Sequence, residues 1–139
     1  RDTLEEDALI EKFRFEFYET VAKSGRSFII THCYSHGYVS LTGLSDPEYL
    51  KTLEKRLLKA GTKVLFVHLK ADEEVLLQRV SNESRKEHKK LTKVSIMRNL
   101  LKTKDFITSA PVKNNLMIDN TQLSPAKAAD VIIKELSKN

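Results

Sequence analysis

The fold is decided by one stretch of sequence, Val64-Leu-Phe-Val-His-Leu-Lys-Ala-Asp-Glu-Glu-Val-Leu-Leu-Gln-Arg-Val80. Its first half belongs to an apolar, β-branched run over 62–69, which is typical of a strand that is covered on both faces. Ala71 and Asp72 interrupt this run, and the spacing over 73–81 then predicts a helix. A buried strand followed directly by a helix is the repeating unit of parallel α/β folds.

The same alternation of strands and helices continues along the chain. No internal repeat or linker rich in Pro, Gly or Ser divides it, so we predict a single domain over 1–139. Apolar strands that alternate with helices predict a parallel sheet with helices on both of its faces. The predicted helices cover 5–23, 46–60, 73–81, 92–103 and 124–136, and the predicted strands cover 27–31, 62–69 and 115–119.

Local patterns in the first two helices predict which residues face the core and where a helix begins. Phe13 and Phe17 share a helical spacing with Leu9, so we expect both rings to face the core. Phe15 falls on another face of the same helix, and we expect it to be exposed or to cover a further structural unit. Asp46, directly before a proline, is the expected cap of the second helix.

The composition is that of a folded globular protein. Hydrophobic residues make up 40% and charged residues 31% of the 139 positions, which excludes an intrinsically disordered chain. The longest apolar runs have four or five residues, so we expect no membrane partner. The single cysteine, Cys33, cannot form an intramolecular disulfide, and we therefore expect a reducing, cytoplasmic location.

The net charge of +5 is concentrated in a lid-like basic segment, residues 79–104. With Lys70 just upstream, it holds ten Lys or Arg residues against two acids, Glu83 and Glu87. Such density suits nucleic acid, an anionic membrane or a phosphorylated small molecule, and a solvated helix face is the plainest alternative. Aromatic residues do not interleave with the basic side chains, which argues against a nucleic-acid partner.

The order of these elements resembles the P-loop kinases of metabolites and nucleotides, such as the adenylate, shikimate and gluconate kinases. The resemblance covers roughly 13–136 and rests on the stretch 64–80 and on Leu116-Met-Ile-Asp-Asn-Thr121 with Leu123-Ser-Pro125. In that family the helix after a buried strand ends in an arginine that enters the mobile lid over ATP. The resemblance therefore implies a three-layer α/β fold, ATP and Mg²⁺ as cofactors, and a small metabolite or nucleotide as the phosphoryl acceptor.

The phosphate-binding motif of that family is absent from these residues. The four glycines, Gly25, Gly37, Gly43 and Gly61, do not fit the pattern Gly-x-x-x-x-Gly-Lys-Ser/Thr. That loop supplies backbone N–H groups and a lysine to the phosphates and a hydroxyl to Mg²⁺. We therefore expect a missing first βα unit, of roughly 30–50 residues, that carries the loop. A sheet edge left open without that unit would favour pairing, as in a homodimer, or aggregation.

The resemblance assigns Arg79 and Arg85 to catalysis and ATP binding. Arg79 matches the lid arginine, and Arg85 matches the second basic residue that such lids carry. A guanidinium group holds two phosphate oxygens at once and stays protonated, so it suits the charge on a transferring phosphoryl group. The resemblance also places Asn120, Thr121 and Pro125 in the ATP-binding loop. The alternatives are exposed arginines on a basic helix and a loop that only packs.

The loop after the predicted strand 27–31 is the expected acceptor site, because open parallel sheets bind ligands at the carboxyl ends of their strands. His32 is a candidate catalytic base towards a substrate hydroxyl and stands where the kinases often carry an acidic residue. Tyr34, His36 and Tyr38 are candidate substrate-binding residues for a ring or a sugar. A hydrogen-bonded structural loop is the alternative. Because the chain has one cysteine, we expect no zinc site among these residues.

The sequence thus supports one main hypothesis and two alternatives. The main hypothesis is ATP-dependent phosphoryl transfer to a small molecule, with the basic segment closing over the nucleotide. The first alternative is a non-catalytic module that binds nucleic acid or the phosphates of a partner. The second is a pseudokinase that has the fold and lacks the chemistry.

Overall fold

The computed structural model describes residues 3–88 and 90–138. It is a mixed α/β structure in which helices accompany a small sheet of two parallel strands. This confirms the mixed helix and strand class. No helix among the described residues is long and apolar enough to cross a membrane. The helices are α1 (Leu4–Lys23), α2 (Asp46–Lys59), α3 (Glu73–Val80), α4 (Ser84–Glu87), α5 (Val94–Thr103) and α6 (Pro125–Leu136), and the strands are β1 (Phe66–Lys70) and β2 (Asn115–Asp119).

The chain divides into two compact units. The first unit comprises Arg1–Phe66 with Thr108–Asn115, and the second comprises Val67–Ile107 with Leu116–Asn139. Helices α1 and α2 belong to the first unit, whereas α3 to α6 and most of each strand belong to the second. Each unit has buried apolar residues of its own.

The core of the first unit forms where α1 packs against α2 around Phe15. Phe15 is only 8% exposed, and its ring centroid lies 4.9 Å from that of Tyr49. Phe13 and Phe17 are 64% and 47% exposed, so the predicted assignment of the faces of this helix was wrong. The inward face includes the buried carboxylate of Asp7, which a search for apolar periodicity does not find. Leu50, Leu53, Leu57 and Ala110 complete this core.

The two ends of α2 follow from local signals. The helix begins at the predicted position, but its cap is Ser45 and not Asp46. Ser45 Oγ accepts from the Glu48 N–H at 3.3 Å, and the Glu48 carboxylate accepts from the Ser45 N–H at 3.2 Å. These reciprocal bonds form a capping box. Beyond the other end, Gly61 has φ of +79°, a left-handed conformation that glycine adopts without a Cβ clash.

The second unit contains the sheet residues 67–70 and 116–119 and packs α3 against α5. Its buried residues are Val80, Ile118 and Ala128. Strand β2 and helix α6 lie where the sequence predicts them, and Ser124 caps α6 by accepting from the Lys127 N–H. Strand β1 is shorter than the predicted strand 62–69 and ends one residue later.

The predicted strand 27–31 does not form, and this prediction was wrong. Phe28, Ile29 and Ile30 are 50%, 98% and 45% exposed. An apolar β-branched run becomes a strand only when a neighbouring strand accepts and donates its main-chain hydrogen bonds. The sheet of the described residues contains β1 and β2 alone. The apolar pattern is therefore present without the pairing that would bury it.

Candidate functional site

Arg79 lies in the last turn of α3 and binds the loop that follows β2. One guanidinium nitrogen donates to Asn120 Oδ1 at 2.9 Å, and the other donates to the main-chain oxygens of Asn120 at 2.8 Å and Thr121 at 3.4 Å. Because α3 follows β1 and this loop follows β2, the contact forms near the carboxyl ends of two neighbouring parallel strands. Open α/β sheets bind their ligands at this edge. The structure thus brings together three predicted site residues, Arg79, Asn120 and Thr121.

Further hydrogen bonds fix the same loop. The Asp72 N–H donates to Thr121 Oγ1 at 2.9 Å, and the Thr121 N–H donates to Asp119 Oδ1 at 3.0 Å. Lys70 Nζ lies 3.4 Å from Asp119 Oδ2. Hydrogen bonds from the side chain and the main chain of Thr121 hold the pKa of the Asp119 carboxyl below its ordinary value. The loop is therefore ordered by the protein itself.

Arg85 and Pro125 have different surroundings. Arg85 follows the first residue of α4, and its Nε–H donates to the main-chain oxygen of Leu91 at 2.8 Å. This bond closes a short local loop and does not bring Arg85 to the loop that Arg79 binds. Pro125 is exposed and occupies the first turn of α6, after the cap Ser124. Both residues remain predictions as ATP contacts.

The basic segment presents its cations to solvent. Lys89 lies outside the described residues. Lys86 forms a 2.8 Å ion pair with Glu83, and both side chains are mostly exposed, so the pair adds little stability. The segment contains α5, which packs against α3 and carries two of these cations, Arg98 and Lys102. The exposed cations are Lys86, Lys90, Lys93, Arg98, Lys102 and Lys104.

His32 lies beside a buried carboxylate in the first unit. Its ring stacks on Tyr49 with the centroids 5.2 Å apart, and its Nε2 is 3.9 Å from Asp46 Oδ1. Asp46 is 8% exposed, and its other oxygen accepts from the Ser35 N–H at 2.8 Å. The carboxylate holds the loop through Ser35, and at 3.9 Å it is close enough to interact with the charge of a protonated imidazole but beyond hydrogen-bond distance.

The three predicted substrate-binding residues divide into a pair and a single residue. The Tyr34 hydroxyl and His36 Nδ1 are 2.8 Å apart and form a hydrogen bond with each other. Tyr38 takes part in a turn, in which its N–H donates to the Ser35 oxygen and its own oxygen accepts from the Asp46 N–H. Only Tyr38 joins His32 in the wall of a cavity.

That cavity is small. Its volume is about 30 Å³, which holds roughly one water molecule, whereas ligand pockets measure about 300–1,000 Å³. Burial raises the pKa of Tyr49 to about 12, so its hydroxyl stays neutral in the wall of the cavity. A pocket for a metabolite is therefore not open at His32 in this conformation. The lining residues are Glu11, Arg14, His32, Tyr38, Ser40, Leu44, Asp46 and Tyr49.

A larger depression of about 370 Å³ lies at the C-terminal ends of α1 and α2. Lys23, Arg56 and Lys59 line it together with Glu19, and Arg56 is already paired with Glu19 at 3.0 Å. The carbonyl ends of two helices carry partial negative charge and disfavour a bound anion. The depression therefore has the size of a metabolite site, and its three cations exceed the one acid and the partial charges of the helix ends.

Sequence reasoning missed the acidic side chains that hold the loops of the first unit. Asp7 is 1% exposed and accepts from the Leu41 N–H at 2.9 Å. The Glu11 carboxylate accepts from the Thr42 hydroxyl at 2.8 Å. The sequence offered one usable signal. Ser45 and Asp46 are adjacent and both are good helix caps, but a helix start needs only one cap, so the other side chain is available for a different contact.

The described part of the chain contains no group of three or more His, Cys, Asp or Glu side chains that could hold a metal ion. Cys33 is exposed. No protein-family model, curated protein or solved structure matches this chain.

Proposed function

We propose that the chain is part of an ATP-dependent kinase of small metabolites or nucleotides. The observation that carries this proposal is the contact of Arg79 with Asn120 and Thr121 near the carboxyl ends of β1 and β2. The resemblance to P-loop kinases assigns a lid arginine and the adenine-facing loop to these same residues. The proposed fold is a three-layer α/β sandwich, in which a further βα unit supplies the glycine-rich loop.

Arg79 has chemistry that suits a phosphate group. A guanidinium carries five N–H donors, and the three contacts with Asn120 and Thr121 leave donors for an anion. When ATP is bound, its phosphates would supply the charge that Arg79 neutralises during transfer. The exposed cations of the basic segment would add to that field.

His32 is the proposed base for the acceptor hydroxyl. Asp46 is held by the Ser35 N–H, and its other oxygen lies 3.9 Å from the imidazole, so a small shift on substrate binding would bring the two groups to hydrogen-bond distance. Because the adjoining cavity holds about one water molecule, binding of the acceptor requires the Tyr38 side chain to move aside while the main chain of its loop stays in place. The described residues offer no acidic cluster for Mg²⁺, so no Mg²⁺ ligand is assigned to this chain and none of these roles depends on one.

A calorimetric titration of Mg-ATP into the natural gene product that contains these residues tests the proposal. We expect binding that Arg79→Ala weakens at least about tenfold, which corresponds to about 1.4 kcal/mol. Arg98→Ala is the matched control, because Arg98, exposed on α5 in the same basic segment, would act on ATP only through long-range charge and should weaken binding much less. Absence of ATP binding by the natural protein, or equal losses in both variants, would overturn the assignment.

A second function, binding of phosphate or nucleic acid without catalysis, is favoured by two observations. The 139 residues contain no Gly-x-x-x-x-Gly-Lys-Ser/Thr loop, and six basic side chains of the segment are exposed. This function predicts affinity for RNA or DNA that falls steeply with salt and does not depend on nucleotide identity. A pseudokinase would instead bind ATP and show no turnover with any acceptor.

A further inference from the structure

Helix α1 has a second apolar face that the core of the first unit does not use. Leu9, Phe13 and Phe17 follow one another at intervals of four residues and are 67%, 64% and 47% exposed. At about 100° per residue, Phe13 lies about 160° around the helix from the buried Phe15. The rings of Phe13 and Phe17 stack with centroids 5.9 Å apart. We call Leu9, Phe13 and Phe17 the outer stripe.

We infer that the outer stripe binds the same stripe of a second copy of this chain, with the two α1 helices antiparallel. We consider the register in which residue i lies opposite residue 28−i of the second copy. In this register the side chains of the two stripes alternate in position along the helix axis. Phe13 then lies between Phe17 and Phe13 of the second copy, and Phe17 lies between Phe13 and Leu9. Successive side chains are about 3 Å apart along the axis, so the two stripes interdigitate.

The charges beside the stripe favour this register. Glu5, Lys12, Glu16 and Lys23 all lie on one flank of the stripe, within about 40° of one another around the helix. In an antiparallel two-fold pair, this flank faces the same flank of the second copy. The 28−i register then sets Lys12 opposite Glu16 and Glu5 opposite Lys23. All four residues are exposed, and Lys12 and Glu16 already lie 3.9 Å apart within one helix.

The antiparallel direction has a further physical reason. The acidic first turn and the basic last turn of α1 carry opposite charges, and the helix dipoles oppose each other in an antiparallel pair. Each copy contributes seven residues of α1 to this contact, fewer than the roughly 20–30 a side of a standard interface. We therefore expect a dimer that dissociates on dilution.

Sedimentation equilibrium of the chain over a range of concentrations tests the contact. Phe13→Glu should weaken the association at least about tenfold, and its circular dichroism should be unchanged because Phe13 is outside the core. Ile133→Glu is the matched control, since Ile133 is 61% exposed on α6. A monomer at all concentrations, or equal effects of both substitutions, would overturn the inference.

Charge-reversal variants test the proposed contact between the flanks of the two copies. In Lys12→Glu/Lys23→Glu the flank is entirely acidic, and in Glu5→Lys/Glu16→Lys it is entirely basic. Each double variant should associate more weakly than the parent, and an equimolar mixture should recover a heterodimer at low salt. If the mixture associates no better than either variant alone, the proposed contact of the flanks is wrong.

Cross-linking tests whether the two α1 helices are antiparallel. The variants are made in a Cys33→Ser background. Glu5→Cys and Lys23→Cys should cross-link to each other with a short bis-maleimide when the two proteins are mixed. Glu5→Cys alone should not react with itself, because its two copies would stand about 27 Å apart along the axis. Self-reaction of Glu5→Cys would indicate parallel helices, and absence of both products would argue against the interface. None of these outcomes depends on ATP binding.

Discussion

In the first unit, loops are held by buried carboxylates that accept main-chain N–H groups, whereas in the second unit a guanidinium donates to main-chain oxygens. Asp7 accepts from Leu41, Asp46 accepts from Ser35, and Glu54 accepts from Lys113 and Asn114. All three acids are at most 8% exposed. Arg79, which is partly exposed, holds the loop after β2 by three bonds.

This difference means that the loops of the first unit are fixed, whereas the contact of Arg79 with the loop after β2 can be exchanged for another one. Removing a buried carboxylate strands N–H groups away from water, which is costly, so the loops of the first unit have few alternatives. A partly exposed guanidinium can exchange a carbonyl for a phosphate oxygen at small cost. We therefore expect the loop after β2 to respond to anions and the Ser35 loop to remain in place.

The largest expected effect tests how far the first unit depends on Phe15. Phe15→Ala removes a buried ring that contacts Tyr49 and Arg56, and it should lower the free energy of unfolding by about 3–5 kcal/mol. Phe13→Ala, on the exposed face of the same helix, should change it by less than about 0.5 kcal/mol. Urea denaturation at low protein concentration measures both variants. Equal losses would mean that the two faces of α1 are assigned incorrectly.

The outcome for α1 shows why the sequence did not predict its orientation. Phe13 and Phe17 have the spacing of a core stripe, and their burial was the natural expectation. Phe15 is inside because its face also carries Asp7, whose cost of burial is offset by the Leu41 N–H more than thirty residues away. A long-range hydrogen bond of this kind has no local signal.

The ends of the helices were predictable because their signals are local. Gly61 ends α2 and Ser124 with Pro125 begins α6, as the sequence indicates. The absence of a strand at 27–31 was not predictable, because strand formation depends on pairing with a neighbouring strand and not only on the apolar run of residues. In the candidate site, the meeting of Arg79 with Asn120 follows from the parallel strand order. The contact of His32 with Asp46 depends on the path of an irregular loop.

The second-largest expected effect tests whether Arg79 holds the loop after β2. Arg79→Ala leaves main-chain oxygens of Asn120 and Thr121 without this donor and should lower the free energy of unfolding by about 1–3 kcal/mol. Amide hydrogen exchange should increase most in 118–121. Arg98→Ala serves as the control on an exposed cation of the same unit. Unchanged exchange in 118–121 would show that Asp72 and Asp119 hold the loop without Arg79.

A smaller effect compares the helix caps of the two units. Ser45→Ala removes the side-chain half of a capping box and should cost about 1 kcal/mol. Ser124→Ala removes a single bond to the Lys127 N–H and should cost about 0.5 kcal/mol. Thermal denaturation of the two variants provides the ranking. A greater loss in Ser124→Ala would indicate that the second unit depends more on its helix start than its contacts suggest.

The smallest effect is the response to acid. Hydrogen bonds lower the pKa of Glu48 in the first unit and of Asp119 in the second. A lowered pKa stabilises the folded state above the ordinary carboxyl pKa, and this contribution is lost as the pH falls through the lowered value. Both groups are exposed, so the effect on stability is small. The amide shifts of Ser45 and Thr121 should titrate with midpoints below the ordinary pKa of a Glu and an Asp carboxyl, respectively, and midpoints at the ordinary values would contradict the assignment.

The exposed run around Ile29 has the composition of a segment that aggregates in concentrated solution. The heptapeptide Ser-Phe-Ile-Ile-Thr-His-Cys, residues 27–33, contains no formally charged residue at neutral pH, proline or glycine. Segments of this composition stack into cross-β fibrils when they are exposed. Arg26 adjoins the run and acts as a gatekeeper against such stacking. We therefore expect this segment to promote fibril formation when it is exposed, and any element that covers it to protect the protein.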